Sequence, residues 1–439
     1  MNPYPNKIGV LVPEILLPAP EIDISKWAVV ACDQFTSEPE YWESARKFIG
    51  DAPSTLDLFL PEAYLGGPDE DERIGDIRRY MRDYVAGGIL QKLPAGFVLV
   101  RREAAGNTRW GLVLALDLEE YDYNKGSTTL IRATEGTIVD RIPPRLRIRE
   151  GATVELPHIL VLIDDPARTV IEPLAGETAD LRQLYDTDLM MDGGHITGWL
   201  VEDAAKIHSV IKALETLAFP SSENHCQLST VNCPLLFAMG DGNHSFATAK
   251  ANWEKLKQGL PEAERAAHPA RWALVEVENV HDEGIVFEPI HRVLFGVDAA
   301  DIVPRLQEKL TEQNGNCEII TNYELRITNC HVLPFVTDTQ SGAFVVENPA
   351  QQLAVGTLQN AIDALLPEIP GSEVDYIHGA DVVEKLAARG NAIGFTLPAI
   401  AKDAFFRTVI FDGALPRKTF SMGEANEKRY YLECRSLED

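Results

Sequence analysis

Apolar residues recur along this chain in two rhythms. Over residues 72–86, Ile74, Ile77, Met81 and Tyr84 fall at helical spacing and Gly87-Gly88 ends the run, which predicts an amphipathic helix. Over 202–218, Ile207, Val210, Ile211, Leu214 and Leu217 share one side and predict another. Ser37 with Glu40 three residues on is a capping-box pattern, and Pro39 suits a first turn, so a short helix is predicted near 38–49. Short apolar runs predict strands at 10–12, 27–31, 97–101, 109–117, 158–163, 272–277 and 285–294. Gly106-Asn107 reads as a hairpin turn between two of them. Beyond about residue 296, helical and strand patterns alternate, without internal repeat or low-complexity tract. Mixed elements of this kind argue for an α+β or α/β architecture.

One stretch breaks the rhythm. In CPLLFAMGDGNHSFATAKANWEKL (233–256) an apolar run stops at Gly-Asp-Gly-Asn, and a helical pattern (Phe246, Ala249, Trp253, Leu256) begins at once. The turn thus sits at a helix N-terminus, where backbone N–H groups lack intrahelical partners and attract anions. Gly240 and Gly242 allow close backbone approach, and Asp241, His244 and Ser245 add polar groups to the same space. Such a turn is suited to cradling phosphate. It also reads as a plain strand–turn–helix connection with Asn243 as cap. Neither GxxxxGK[ST] nor GxGxxG is present here.

Charge narrows the partners. The chain has 439 residues and a net charge of −27, a field that repels nucleic-acid backbones and anionic lipid heads. No apolar segment approaches the roughly 18 residues of a membrane span. The proline-interrupted N-terminus does not read as a secretory signal, so a cytoplasmic protein is expected. Its length suggests two or three domains. Cys32, Cys226, Cys233, Cys317, Cys330 and Cys434 are scattered without CxxC and are expected as reduced thiols. His225-Cys226 with Cys233 forms no zinc-like spacing with a second cluster, so no metal site is expected.

MGDGNHSFATA resembles the DGHHRxxAA signature of the ParB/sulfiredoxin superfamily. Together with WAVVACDQFTSEPEYW (27–42), RWGLVLALDLEEY (109–121), HILVLIDDP (158–166), FEPIHRVL (287–294) and LPRKTFS (415–421), in that order, it resembles the family called domain of unknown function 1015. That family is similar in its first part to ADP-dependent free-serine kinases. The resemblance implies a ParB/sulfiredoxin-like mixed-sheet core with large insertions over 1–295. It also implies a C-terminal α/β domain over 296–439 whose last segment returns to the site. It further implies nucleotide phosphate on Gly240, Gly242, Asn243 and Ser245, with Asp241 and His244 in catalytic positions. Two positions depart from the signature: Asn243 stands for the first histidine and Ser245 for the arginine, which removes a bidentate phosphate binder.

Other cations are candidates for the missing charge. Lys418, with Thr419 and Ser421, suits a carboxylate or phosphate and matches a family element; Arg417, Arg292 and Arg132 are further candidates. The run Arg141, Arg145, Arg147, Arg149 reads as a surface strand or loop paired with nearby acids. The resemblance puts Asp33 in the loop of the catalytic carboxylate, with Glu14 and Glu21 as rivals. It also puts His195, in MDGGHITGW, on the pocket wall. The expectation is a kinase using ADP or ATP with Mg²⁺ to phosphorylate a small hydroxylated metabolite such as free serine. The alternative is a non-catalytic nucleotide or metabolite sensor. A nucleic-acid role is disfavoured by charge.

Overall fold

The protein is described by a computed structural model covering residues 3–124, 126–136, 142–156, 158–220, 234–321 and 329–438. Arg141, His225, Cys226 and Cys233 lie outside the described residues. The fold is mixed α/β, in two compact units: residues 1–286 with 423–439, and residues 287–422. The sequence expectation divided the chain at 295/296. Among the described residues, no helix is long and apolar enough to cross a membrane.

The first unit is built on a mixed sheet. Its strands run Arg182–Asp188, His195–Val201, Phe97–Ala104, Asn107–Asp117, Trp272–Asn279, Leu160–Ile163, Phe237–Asp241, Ile131–Arg132 and Tyr121–Asp122. Val10–Leu11 pairs with Asn107–Asp117 as well. Pairing is antiparallel as far as Trp272–Asn279, then parallel to Leu160–Ile163, antiparallel to Phe237–Asp241, and parallel beyond. Side chains alternate between two buried faces. Phe97, Leu99, Leu112 and Leu114 enter one apolar cluster with Phe246 and Trp253. Val98, Val100, Val113 and Leu274 enter another with Trp27, Ile74 and Tyr431. A sheet covered on both faces needs apolar residues at successive positions, which is how these strands read.

Predicted helices are found at Pro39–Ile49, Glu70–Ala86 and Ala204–Ala218. The capping box at Ser37 does not form: Glu38 is the N-cap, without a side-chain cap bond. Pro39 fixes the first helical position one residue late, which leaves Glu40 at the second position instead of the third. The strand expected at 27–31 is also absent as a strand. Its residues are buried, but their backbone partners are irregular. Val29 N–H donates to Thr55 Oγ1, Tyr430 N–H donates to the Val29 carbonyl, and Ala31 N–H donates to the Lys428 carbonyl.

Those last contacts come from the C-terminal segment. It bridges Arg429 to Val30 and Cys434 to Leu16, and its strand Arg435–Ser436 pairs with Val154–Glu155. The second unit has an antiparallel sheet ordered Cys317–Ile320, Ser341–Glu347, Cys330–Val336, Ala392–Phe395, Phe287–Phe295 and Glu373–His378; Phe420–Met422 pairs with the start of Phe287–Phe295. Helices Ala299–Asn314 and Ala354–Leu365 pack Leu306, Leu310, Leu358 and Ile362 against Phe344 and Ile393 of that sheet.

Candidate functional site

Strand Phe237–Asp241 lies between Leu160–Ile163 and Ile131–Arg132, and its register shifts between Met239 and Asp241. The chain then turns at Gly242, with φ +79°. A Cβ there would stand 2.4 Å from the His158 carbonyl oxygen, so the position admits only glycine. Gly242 is the N-cap of helix Asn243–Leu256 and provides no side-chain cap bond. The first amides of that helix therefore keep the character of an anion site.

Asp241 is the hub of the turn. Its Oδ1 accepts from the Gly242 N–H at 2.8 Å. Its Oδ2 lies 3.1 Å from Lys428 Nζ and 3.6 Å from His158 Nε2. Burial alone would raise the Asp241 pKa, but the Lys428 ammonium and the His158 ring hold it well below the usual carboxylate range. Burial pulls Lys428 down, and Asp241, Asp33 and Glu135 together raise it, so the ammonium stays charged. His158 Nδ1 stands 2.9 Å from the Arg429 carbonyl. A carbonyl only accepts, so Nδ1 donates its proton there, which fixes the ring with Nε2 toward Asp241.

Asp33 joins the same electrostatic group, acting on both Lys428 and Arg145. It accepts from Gln34 Nε2 at 2.9 Å. Burial, then the Asp33 charge, pushes the neighbouring Cys32 thiol up to about 12, so this cysteine is an inert wall at neutral pH. Tyr430 packs its ring 4.4 Å from Phe59 and edge-on to His158.

Beside the turn is a cavity of about 120 Å³. Cys32, Phe59, Met81, His158 and Tyr430 line it, with Ser245 and Thr248 from the first turns of the helix and Arg145 and Arg149 from helix Ile142–Arg149. A larger cleft of about 970 Å³ shares Phe59 and Leu60 with it but holds no residue of the turn. Two arginines of that cleft are paired with acids of its walls or edge, Arg46 with Asp57 and Arg73 with Asp69. The smaller cavity is therefore the better candidate. Among the described residues, no group of three or more His, Cys, Asp or Glu could hold a metal ion.

The family model described as "Protein of unknown function (DUF1015)" matches residues 15–365. The chain belongs to this family. Among solved structures, a free serine kinase in complex with AMP is 12% identical with a TM-score of 0.38, covering 73% of this chain and 91% of that one. A conserved hypothetical protein from Pyrococcus furiosus is 10% identical at a TM-score of 0.35, covering 74% and 95%. SbnI from Staphylococcus aureus, truncated at its C-terminus, is 9% identical at 0.35, covering 71% and 82%. No curated protein matches significantly.

In this DUF1015 member, the first unit brings Gly240, Asp241, Gly242, Asn243, His244 and Ser245 together on the turn, with Asp33 in the surrounding charge group. His195 stands elsewhere: its nitrogens lie 2.6 Å from Asp186 and 2.7 Å from Asp188 on the edge strand. Glu14, the rival base, pairs with Lys92 at the surface. Arg292, Lys418, Thr419 and Ser421 belong to the second unit. Arg292 is fully buried there, bonding Gln359 Oε1 and the Arg417 carbonyl and stacking on Tyr376. Its guanidinium is thus occupied in holding the 415–421 turn. Thr419 Oγ1 closes that turn on the Pro416 carbonyl, and Lys418 is exposed with φ +56°.

Arg145, Arg147 and Arg149 are paired with acids, as expected, but on a helix. Sequence reasoning did not single out His158, Lys428 and Tyr430 as site residues. The only local cue for His158 was its place at the head of the apolar run HILVLI. Lys428 carried none.

Proposed function

We propose that this protein is a nucleotide-dependent kinase of small hydroxylated metabolites, with a ParB/sulfiredoxin-like nucleotide-binding core in its first unit. One observation carries the reading: a glycine turn at a helix N-terminus, an anionic Asp241 locked to Lys428, and Asp33 acting on that same lysine. The terminal phosphate of ADP or ATP would lie on the amides of 243–245, with Ser245 donating a hydroxyl bond. Lys428 would neutralise charge on the transferred group. Asp33 would take the proton of the acceptor hydroxyl as its oxygen bonds to phosphorus and the P–O bond to the departing nucleotide breaks.

Mg²⁺ bound to a nucleotide needs only one or two protein carboxylates, and Asp33 and Asp241 are the carboxylates at hand; the metal would offset phosphate charge. The alternative, a sensor that binds nucleotide without transfer, draws on Ser245 standing where the signature has arginine. The deciding experiment is mass spectrometry for phosphoserine after incubation with ADP or ATP, Mg²⁺ and serine. Asp33→Asn is expected to lower turnover at least about a hundredfold while retaining nucleotide binding. Nucleotide binding with no phosphorylated product from serine or other hydroxy acids would select the sensor. Unchanged turnover in the variant would remove Asp33 from the chemistry.

A further inference from the structure

The cavity against Ser245 and Thr248 has a charge economy that the turn alone does not explain. Arg145 is nine-tenths buried and gives one arm to Glu62, yet among the described residues its Nε and Nη1 have no hydrogen-bond partner. Arg149 pairs with Glu155 at 2.5 Å, and its Nε is also without a partner among the described residues. Glu155 is shared, because Arg435 lies 2.7 Å from its other oxygen. Arg149 thus has only a share of that carboxylate. Buried donors of this kind cost stability unless an acceptor reaches them. Guanidinium donors left without acceptors on the wall of a cavity point to an anionic ligand.

The rest of the lining restricts what that ligand is. Phe59, Leu60, Met81, Ile148 and Leu156 make most of the walls apolar. At about 120 Å³, the space is far below the roughly 300–1,000 Å³ of pockets for drug-sized ligands. Cys32 lines the cavity and Asp33 follows it directly.

We propose that this cavity is the acceptor pocket, and that Arg145 and Arg149 grip the carboxylate of a small hydroxy or amino acid there. Arg145 bridges Glu62 and the ligand, as a planar guanidinium with several N–H donors can. The ligand's role as acceptor rests on the kinase reading above; its binding does not.

The test is calorimetry on the full chain, without nucleotide, using L-serine, D-glycerate and ethanolamine as probes. Ethanolamine keeps serine's amine and hydroxyl and lacks the carboxylate. Serine or glycerate is expected to bind at millimolar concentration or tighter, and ethanolamine not to bind. Arg145→Gln is expected to weaken binding about tenfold to a hundredfold. Glu62→Gln frees the Arg145 arm and is expected to tighten binding, a gain that a purely structural arginine would not produce. Arg149→Gln serves if Arg145→Gln does not fold.

No binding of either acid, equal binding of ethanolamine, or affinities unmoved by these substitutions would overturn the proposal. Binding of inorganic phosphate in competition with ADP would also overturn it, since the pocket would then belong to the nucleotide. Acid binding without phosphorylated product would sustain the pocket and sink the kinase.

Discussion

Asp241 and Glu276 are both carboxylates set among cations inside the first unit, yet their surroundings drive them in opposite directions. Asp241 sits at a turn, where Lys428 and an N–H meet it, and it is held strongly anionic. Glu276 lies mid-strand with Glu278 on the same sheet face, near Glu433. Burial raises all three carboxyls, against the pull of Arg109 on Glu276 and Glu278 and the Tyr185 hydrogen bond on Glu433, which reaches about 7. Arg109 donates to Glu278 at 2.5 Å and to Tyr431 Oη at 2.8 Å. Arg109 and Arg102 thus face a crowd of buried acids in the sheet, whereas at the turn Lys428 lies directly against Asp241. Charge at the turn is kept; charge in the sheet is suppressed. The first arrangement suits ligand chemistry, and the second resembles an interior network that tolerates protons.

Arg109→Met should have the largest effect, since it leaves buried Glu278 and Tyr431 both without their donor, at about 1–3 kcal/mol for each. Urea denaturation measures it. A loss below about 1 kcal/mol would mean that these groups do not depend on Arg109.

Lys428→Met removes the compensation from Asp241 and should cost about 1–3 kcal/mol and weaken ADP binding. Asp241→Asn in the same chain should restore part of the stability. Stability unmoved by Lys428→Met would erase the distinction between the two clusters.

A third effect is visible only as a pH slope. Glu433, raised to about 7 by burial, binds its proton more tightly folded than unfolded. Its contribution is therefore favourable at low pH and fades between its ordinary value near 4.5 and about 7. Asp241, depressed, behaves in reverse: its contribution is present above its ordinary value near 3.8 and is lost below it. Glu433→Gln should flatten the decline between pH 4.5 and 7 by up to about 3 kcal/mol and leave the acid limb alone.

Local pattern carried much of the architecture. The helical faces at 74–84 and 207–217 and the strand–turn–helix at 237–256 were legible because their periodicity reports a burial face directly. The run at 27–31 misled for the same reason. Its apolar side chains are buried, but its backbone is satisfied by Thr55 and residues four hundred positions onward, which no local rhythm encodes. At the site, the turn was readable from its glycines. Its partners were not, because His158 arrives from a neighbouring strand and Lys428 from the far end of the chain. Arg145 looked like one member of a solvated basic run. Only tertiary packing distinguishes it from Arg147, whose side chain is 54% exposed.

The return of residues 423–439 to the first unit has a bearing on how the chain comes into being. A ribosome delivers Lys428, Arg429 and Tyr430 after every residue of the second unit has been made. Until then the nascent first unit holds Asp241 without its ammonium, His158 without the carbonyl that orients its ring, and Leu16 without its Cys434 bridge. Translation order thereby withholds the finished pocket, and a chain clipped after Met422 would lose all of these partners at one stroke.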